Sequence, residues 1–125
     1  MNISILFIMI FLHIVDDWVL QGKLGEMKQK QWWLKHPQYK DMYKYDFVVA
    51  LLTHAFSWTF MIMLPIMFIQ QWEINIVFMF TFLTNMSIHA FVDDLKANKL
   101  KINLVQDQII HIVQIGVTYI IFNFI

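Results

Sequence analysis

The chain has 125 residues, 59 % of them apolar and 14 % charged, and its nine lysines balance nine acidic side chains at a net charge of zero. Soluble domains run about 45–50 % apolar and about 25 % charged, so an ordinary soluble domain and a disordered chain are both excluded. The lack of cysteine excludes disulfides, thiolate metal sites and cysteine nucleophiles, three glycines leave no phosphate-cradling loop, and neutrality argues against a nucleic-acid surface.

Four apolar runs follow in chain order, at residues 3–20, 47–69, 74–92 and 104–125. Each approaches the roughly 20 residues that a helix needs to cross a bilayer core of about 30 Å. Backbone polar groups must pair internally in lipid, so such runs are predicted as helices. The expected fold is all-α: one domain over residues 1–125, an integral-membrane four-helix bundle of up-down topology. Its helices are predicted at about residues 3–34, 38–70, 74–95 and 104–125. The first run lacks a basic leading segment and a small-residue cleavage site, and reads as a retained span. It is expected to continue as helix to residue 34, with His36-Pro37 as the break.

The connections differ in composition. Residues 21–46 carry six lysines, residues 93–103 carry three, and the short turn at 70–73 carries none. All nine lysines therefore fall on one side of the bundle. The positive-inside rule places both lysine-rich loops in the cytoplasm and both termini outside. The expected location is a bacterial inner or cytoplasmic membrane, crossed several times.

The chemistry-bearing residues sit at the ends of the spans. Helix one offers His13, Asp16 and Asp17, helix two His54, helix three His89, Asp93 and Asp94, and helix four Asp107 and His111. His13–Asp17, His89–Asp93 and Asp107–His111 are each spaced i, i+4, about 40° apart on one helix face and one turn apart in height. Under up-down topology all four histidines reach the cytoplasmic half. Ionisable groups within a membrane are costly and usually face the bundle interior. With no arginine present, and only Lys96 sharing a face with His89, the predicted counter-charge is a bound divalent cation. Imidazole with carboxylate favours zinc first, then iron or manganese, over magnesium. The expected ligands are His13, Asp17, His54, His89, Asp93, Asp107 and His111. Duller roles suit other residues: His36 as a solvated loop residue, Asp16 as an interfacial charge, Asp94 facing water, and most lysines marking topology.

The ordered motifs His13-x-x-x-Asp17-x-x-Leu20-Gln21, His54, His89-x-x-x-Asp93-x-x-Lys96 and Asp107-Gln108-x-x-His111 resemble those of a family of small bacterial and phage integral-membrane proteins of unknown function. Trp18 stands where that family usually has Phe. The resemblance covers almost the whole chain. It implies that Gln21, Lys96 and Gln108 belong to the site with the histidines and aspartates. A looser similarity is to membrane-bound metal-dependent hydrolases, although their Thr-His-Ser element is missing here.

Two functional readings follow. The first is a membrane-embedded metal-binding protein acting as a metal-dependent hydrolase on a lipid-like or phosphate-containing substrate at the cytoplasmic face. Asp17, Asp93, Asp107 and Lys96 are its candidate catalytic residues, and Gln21 and Gln108 orient the bound group. The second is a non-enzymatic membrane protein that carries ions or protons, binds haem, or acts as a phage-type lesion or exclusion protein. The expected partners are membrane lipids, a lipid-like substrate and further copies of the chain, with no nucleic acid.

Overall fold

A computed structural model describes residues 1–35 and 41–125. Among them every regular element is helical. Helix α1 (Ile3–Ile14) runs without interruption into a π-helical segment (Val15–Leu20). Two short helices follow, α2 (Leu24–Met27) and α3 (Lys30–Leu34). Three long ones complete the chain: α4 (Asp46–Ile69), α5 (Ile76–Ala97) and α6 (Leu104–Phe124). The four spans Ile3–Leu20, Asp46–Ile69, Ile76–Ala97 and Leu104–Phe124 are long and apolar enough to cross a membrane. The chain is a membrane-type four-helix bundle.

Asparagine sets where three helices begin. Asn2 accepts from Ser4 N at 3.1 Å, Asn75 from Phe78 N at 2.9 Å, and Asn103 from Gln106 N at 2.9 Å. The Gln106 side chain returns the bond to Asn103 N at 3.0 Å, closing a capping box. Each span packs on its neighbour in sequence, and α6 closes the ring against α1. At the closed end the Met1 amino group donates to Asn123 Oδ1, and Tyr119 Oη donates to Met1 O at 3.0 Å. The connections alternate ends, which is the up-down arrangement.

The first helix departs from expectation. It does not run unbroken to residue 34: Gly22 turns the chain at φ +51°, a conformation that glycine adopts without steric cost. The chain then folds back as α2 and α3 and packs against α4. Asn98, which caps the end of α5, pins this segment from both ends of its amide. Its Nδ2 donates to Lys28 O at 3.1 Å, and its Oδ1 accepts from Lys30 N at 2.8 Å. Helix α5 extends to Ala97, so Asp93, Asp94 and Lys96 lie on helix and not in a loop. Helix α4 starts at Asp46 rather than residue 38. The predicted break at His36-Pro37, and the solvated role of His36, lie outside the described residues.

The half of the bundle nearest the termini is filled by Met9, Ile62, Met63, Ile66, Ile115 and Phe122, with Trp58 as the cluster's inner edge. Beyond Trp58 the interior turns polar.

Candidate metal centre

Six of the seven expected ligands converge. Asp17 with His54 and His89 forms one triad, His89 with Asp93 and His111 a second, and Asp17 with Asp107 and His111 a third. Within each triad the donor atoms lie within 4.8 Å of one another. Asp17, His89 and His111 each belong to two triads, so the three share corners across all four spans.

The separations identify what the donors suit. His54 Nε2 lies 3.1 Å from Asp17 Oδ1, 3.4 Å from Asp93 Oδ2 and 3.1 Å from His89 Nε2. One ring nitrogen makes one hydrogen bond, as donor or as acceptor, so it cannot satisfy three such neighbours. His111 Nε2 lies 3.3 Å from Asp107 Oδ1 and 3.5 Å from Asp93 Oδ1, without the alignment of a hydrogen bond. All three of these atoms are buried and lack a hydrogen-bond partner. Ligand atoms held about 2.0–2.1 Å from a tetrahedral ion stand about 3.3–3.4 Å apart, which matches this spacing. Buried His and Asp groups here could hold a metal ion.

Asp93 and Asp107 each keep one oxygen turned to a lysine and the other turned inward. Asp93 Oδ2 accepts from Lys28 Nζ at 2.6 Å, and Asp107 Oδ2 from Lys96 Nζ at 2.6 Å. The unpartnered Oδ1 atoms are the ones facing His111. Asp16, Asp17, Asp93 and Asp107 are opposed by these two lysines. With neutral imidazoles, two negative charges are left over, the charge of one divalent cation. Leaving such charges buried and unpaired is costly.

His13 stands outside the triads. Trp58 Nε1–H can only donate, and it reaches His13 Nδ1 at 2.7 Å. The ring proton therefore sits on Nε2, which donates to Gln108 Oε1 at 3.1 Å. Both ring nitrogens are occupied, so His13 orients Gln108 instead of presenting a lone pair to an ion. Gln108 in turn donates through Nε2 to Asp17 Oδ2 and Asp107 Oδ2, each at 3.1 Å. Gln21 Nε2 lies 3.4 Å from His54 Nε2. The glutamines thus border the donor set, and Lys96 enters it through Asp107.

Three contributors escaped the sequence reading. Lys28, expected to mark topology, is 4 % exposed and paired to Asp93. Asp16, expected at the interface, is 1 % exposed and accepts from Ser57 Oγ at 2.6 Å. The π-helical turn winds more residues per turn than an α-helix, so the 100° spacing that turned Asp16 away from the core does not apply. Trp58 stacks on His89 with ring centroids 4.1 Å apart, an aromatic floor that no motif signalled. Of the three i, i+4 pairs, His89–Asp93 at 3.7 Å and Asp107–His111 at 3.3 Å approach each other as expected. His13 and Asp17 are instead joined through Gln108. No family model, curated protein or solved structure matches the chain.

Proposed function

We propose that the protein is a membrane-embedded hydrolase that uses a divalent ion, zinc first, on a phosphate ester of a lipid-like substrate at the cytoplasmic face. The observation that carries the reading is the set of inward-facing, unpartnered donors Asp93 Oδ1, Asp107 Oδ1 and His111 Nε2. His54, His89, His111, Asp17, Asp93 and Asp107 would hold the ion. A divalent ion supplies Lewis acidity to a phosphoryl oxygen and acidifies a water molecule. Asp17 and Asp107, linked by Gln108, lie on the side from which substrate would arrive, and one of them takes the proton.

A lipid-facing groove supports the substrate class. Between the π-helical segment and α6 a cavity of about 430 Å³ is walled by Trp18, Leu104, Val105, Ile109 and Ile112. Gln108 lines it too, and its amide is one hydrogen bond from both carboxylates. An acyl or isoprenoid chain would lie in the groove with its head group at the centre. Lys96, whose side chain is 28 % exposed against 5 % for Lys28, is the cation that an anionic head group meets. The grouping of all nine lysines between the first two spans and around the junction of the last two supports a cytoplasmic position for this end. The ordered motifs support membership of the small bacterial and phage membrane family.

The test is metal analysis of the purified full-length protein, followed by phosphate release from an isoprenoid phosphate in detergent micelles. Stoichiometric metal, and release abolished by His111→Ala, are expected. A chain that never carries metal overturns the reading. In that case the Lys28–Asp93 and Lys96–Asp107 pairs favour a non-enzymatic polar core that relays protons or ions.

A further inference from the structure

A second, uncharged pocket lies on the outer side of α5 and α6, reaching from Ile88 and Ile110, beside His89 and His111 in the chain, towards the terminal end of the bundle. Helices α5 and α6 flank a cavity of about 290 Å³ that opens between Ile88, Val113 and Val117, all exposed on the outer surface. At its base are Asn85, Gln114 and Thr118, which are 4 %, 7 % and 1 % exposed.

The hydrogen bonds at the base close on themselves with one exception. Gln114 Nε2 donates to Asn85 O at 2.7 Å and to Asn85 Oδ1 at 2.9 Å. Asn85 Nδ2 donates to Thr118 Oγ1 at 2.8 Å and approaches Met63 Sδ at 3.9 Å. Thr118 Oγ1 donates to Gln114 O at 2.9 Å. Every donor of these three side chains is spent, and the Thr81 and Thr84 hydroxyls that also line the cavity do not reach Gln114 Oε1. Gln114 Oε1 is buried with no partner. Turning the amide over does not relieve it, because a backbone carbonyl only accepts, so the atom facing Asn85 O must be the nitrogen. The base therefore asks for one donor from outside the protein.

The pocket also limits what can supply that donor. Its lining carries no charged side chain, so a carboxylate or phosphate head group would be desolvated without a counter-charge. A neighbouring helix, about 10 Å across, is too wide to carry a side chain's donor between Ile88 and Val117 to a base this deeply buried. A hydrocarbon chain is narrow enough. Mostly apolar walls with a few placed polar groups, here the Thr81 and Thr84 hydroxyls besides the three residues of the base, are the usual make-up of a small-molecule site.

We propose that the α5/α6 cavity binds a slender, uncharged, lipid-soluble alcohol whose hydroxyl donates to Gln114 Oε1 and whose chain lies between Ile88, Val113 and Val117. The site shares no residue with the metal centre and stands whether or not that centre binds metal.

The experiment titrates the full-length protein in detergent with 1-decanol, decyl methyl ether and decanoate, and counts bound molecules by native mass spectrometry. One alcohol per chain is expected, held about tenfold more tightly than the ether, the worth of one net hydrogen bond. Decanoate binds no better than the ether. Gln114→Leu erases the difference between alcohol and ether, and circular dichroism checks that the variant folds. Val117→Trp, at an outward-facing position, fills the opening and blocks the alcohol while leaving the base intact. Equal affinity for alcohol and ether overturns the proposal, as does a preference that survives Gln114→Leu. Disulfide-linked dimers of Val117→Cys that exclude the alcohol also overturn it, by giving the face to a second copy.

Discussion

Near the chain termini, Met9, Ile62, Met63, Ile66 and Ile115 meet across the bundle axis with no exposed surface at all. In the interior of the other half stand His54, His89, His111, Asp93 and Asp107, each at most 1 % exposed. The first half gains by packing alone, since each apolar side chain is as content in lipid as in protein and only close contact favours the bundle. The second half must first repay the removal of charge from water. It does so with Lys28 and Lys96 at its margin and with a donor set that fits a cation at its centre. Stability in one half is therefore steric, and in the other conditional on what neutralises the carboxylates.

The largest expected effect comes from breaking the conditional half at its most buried cation. Lys28→Met leaves Asp93 with one fewer counter-charge at 1 % exposure, and loss of one partner of a buried pair costs about 3–5 kcal/mol. Adding Asp93→Asn to Lys28→Met should restore part of that stability while abolishing metal binding. Equilibrium unfolding in mixed micelles measures both. Ile62→Ala in the steric half should cost about 2–5 kcal/mol through the cavity it leaves. The same loss should appear with and without a strong chelator.

If the centre holds metal as proposed, its removal is the next effect in size and separates the halves directly. Metal that binds only the folded state adds about 2.7 kcal/mol at a hundredfold excess over its dissociation constant. Chelation of protein confirmed to carry metal should lower the melting temperature of the wild type and of Ile62→Ala alike. Asp93→Asn, which has no bound metal to lose, should melt at the same temperature in both buffers. A wild type carrying metal whose melting is unmoved by its removal would show that Lys28 and Lys96 neutralise the site alone.

The same contrast explains which parts were legible from sequence. Long apolar runs set the four spans, and the shared depth of His54, His89 and His111 followed from alternating helix direction, because both are one-dimensional patterns. Lys28 was not legible. Its burial depends on a left-handed turn at Gly22 and on Asn98 gripping the returning chain, contacts across some seventy residues with no period to betray them. Asp16 was hidden by a π-turn, which changes the angular step without a sequence mark as plain as proline. His13 has the right residue type, depth and spacing for a ligand. Its exclusion depends on Trp58, whose indole N–H arrives from another helix.

Trp58 belongs to both halves, and the smallest of these effects tests whether they communicate. It belongs to the apolar cluster with Ile62 and Met63, and its ring stacks on His89. Its N–H fixes the His13 tautomer, His13 Nε2–H fixes Gln108, and Gln108 holds one oxygen each of Asp17 and Asp107. Trp58→Phe keeps an aromatic ring but leaves His13 Nδ1 buried without a donor, at a cost of about 1–3 kcal/mol. If the relay acts as drawn, His13 is then free to move its proton to Nδ1. Gln108 Oε1 then keeps only the longer donation from Trp18 Nε1 at 3.4 Å, and its hold on the carboxylates loosens. Outer partners of this kind are worth about 10–100-fold in metal affinity, so competition against a chromophoric chelator should show weakening of at least about tenfold. A variant that loses stability but keeps its affinity would show that the chain of hydrogen bonds ends at His13. The apolar half would then act on the centre only through the stacked ring.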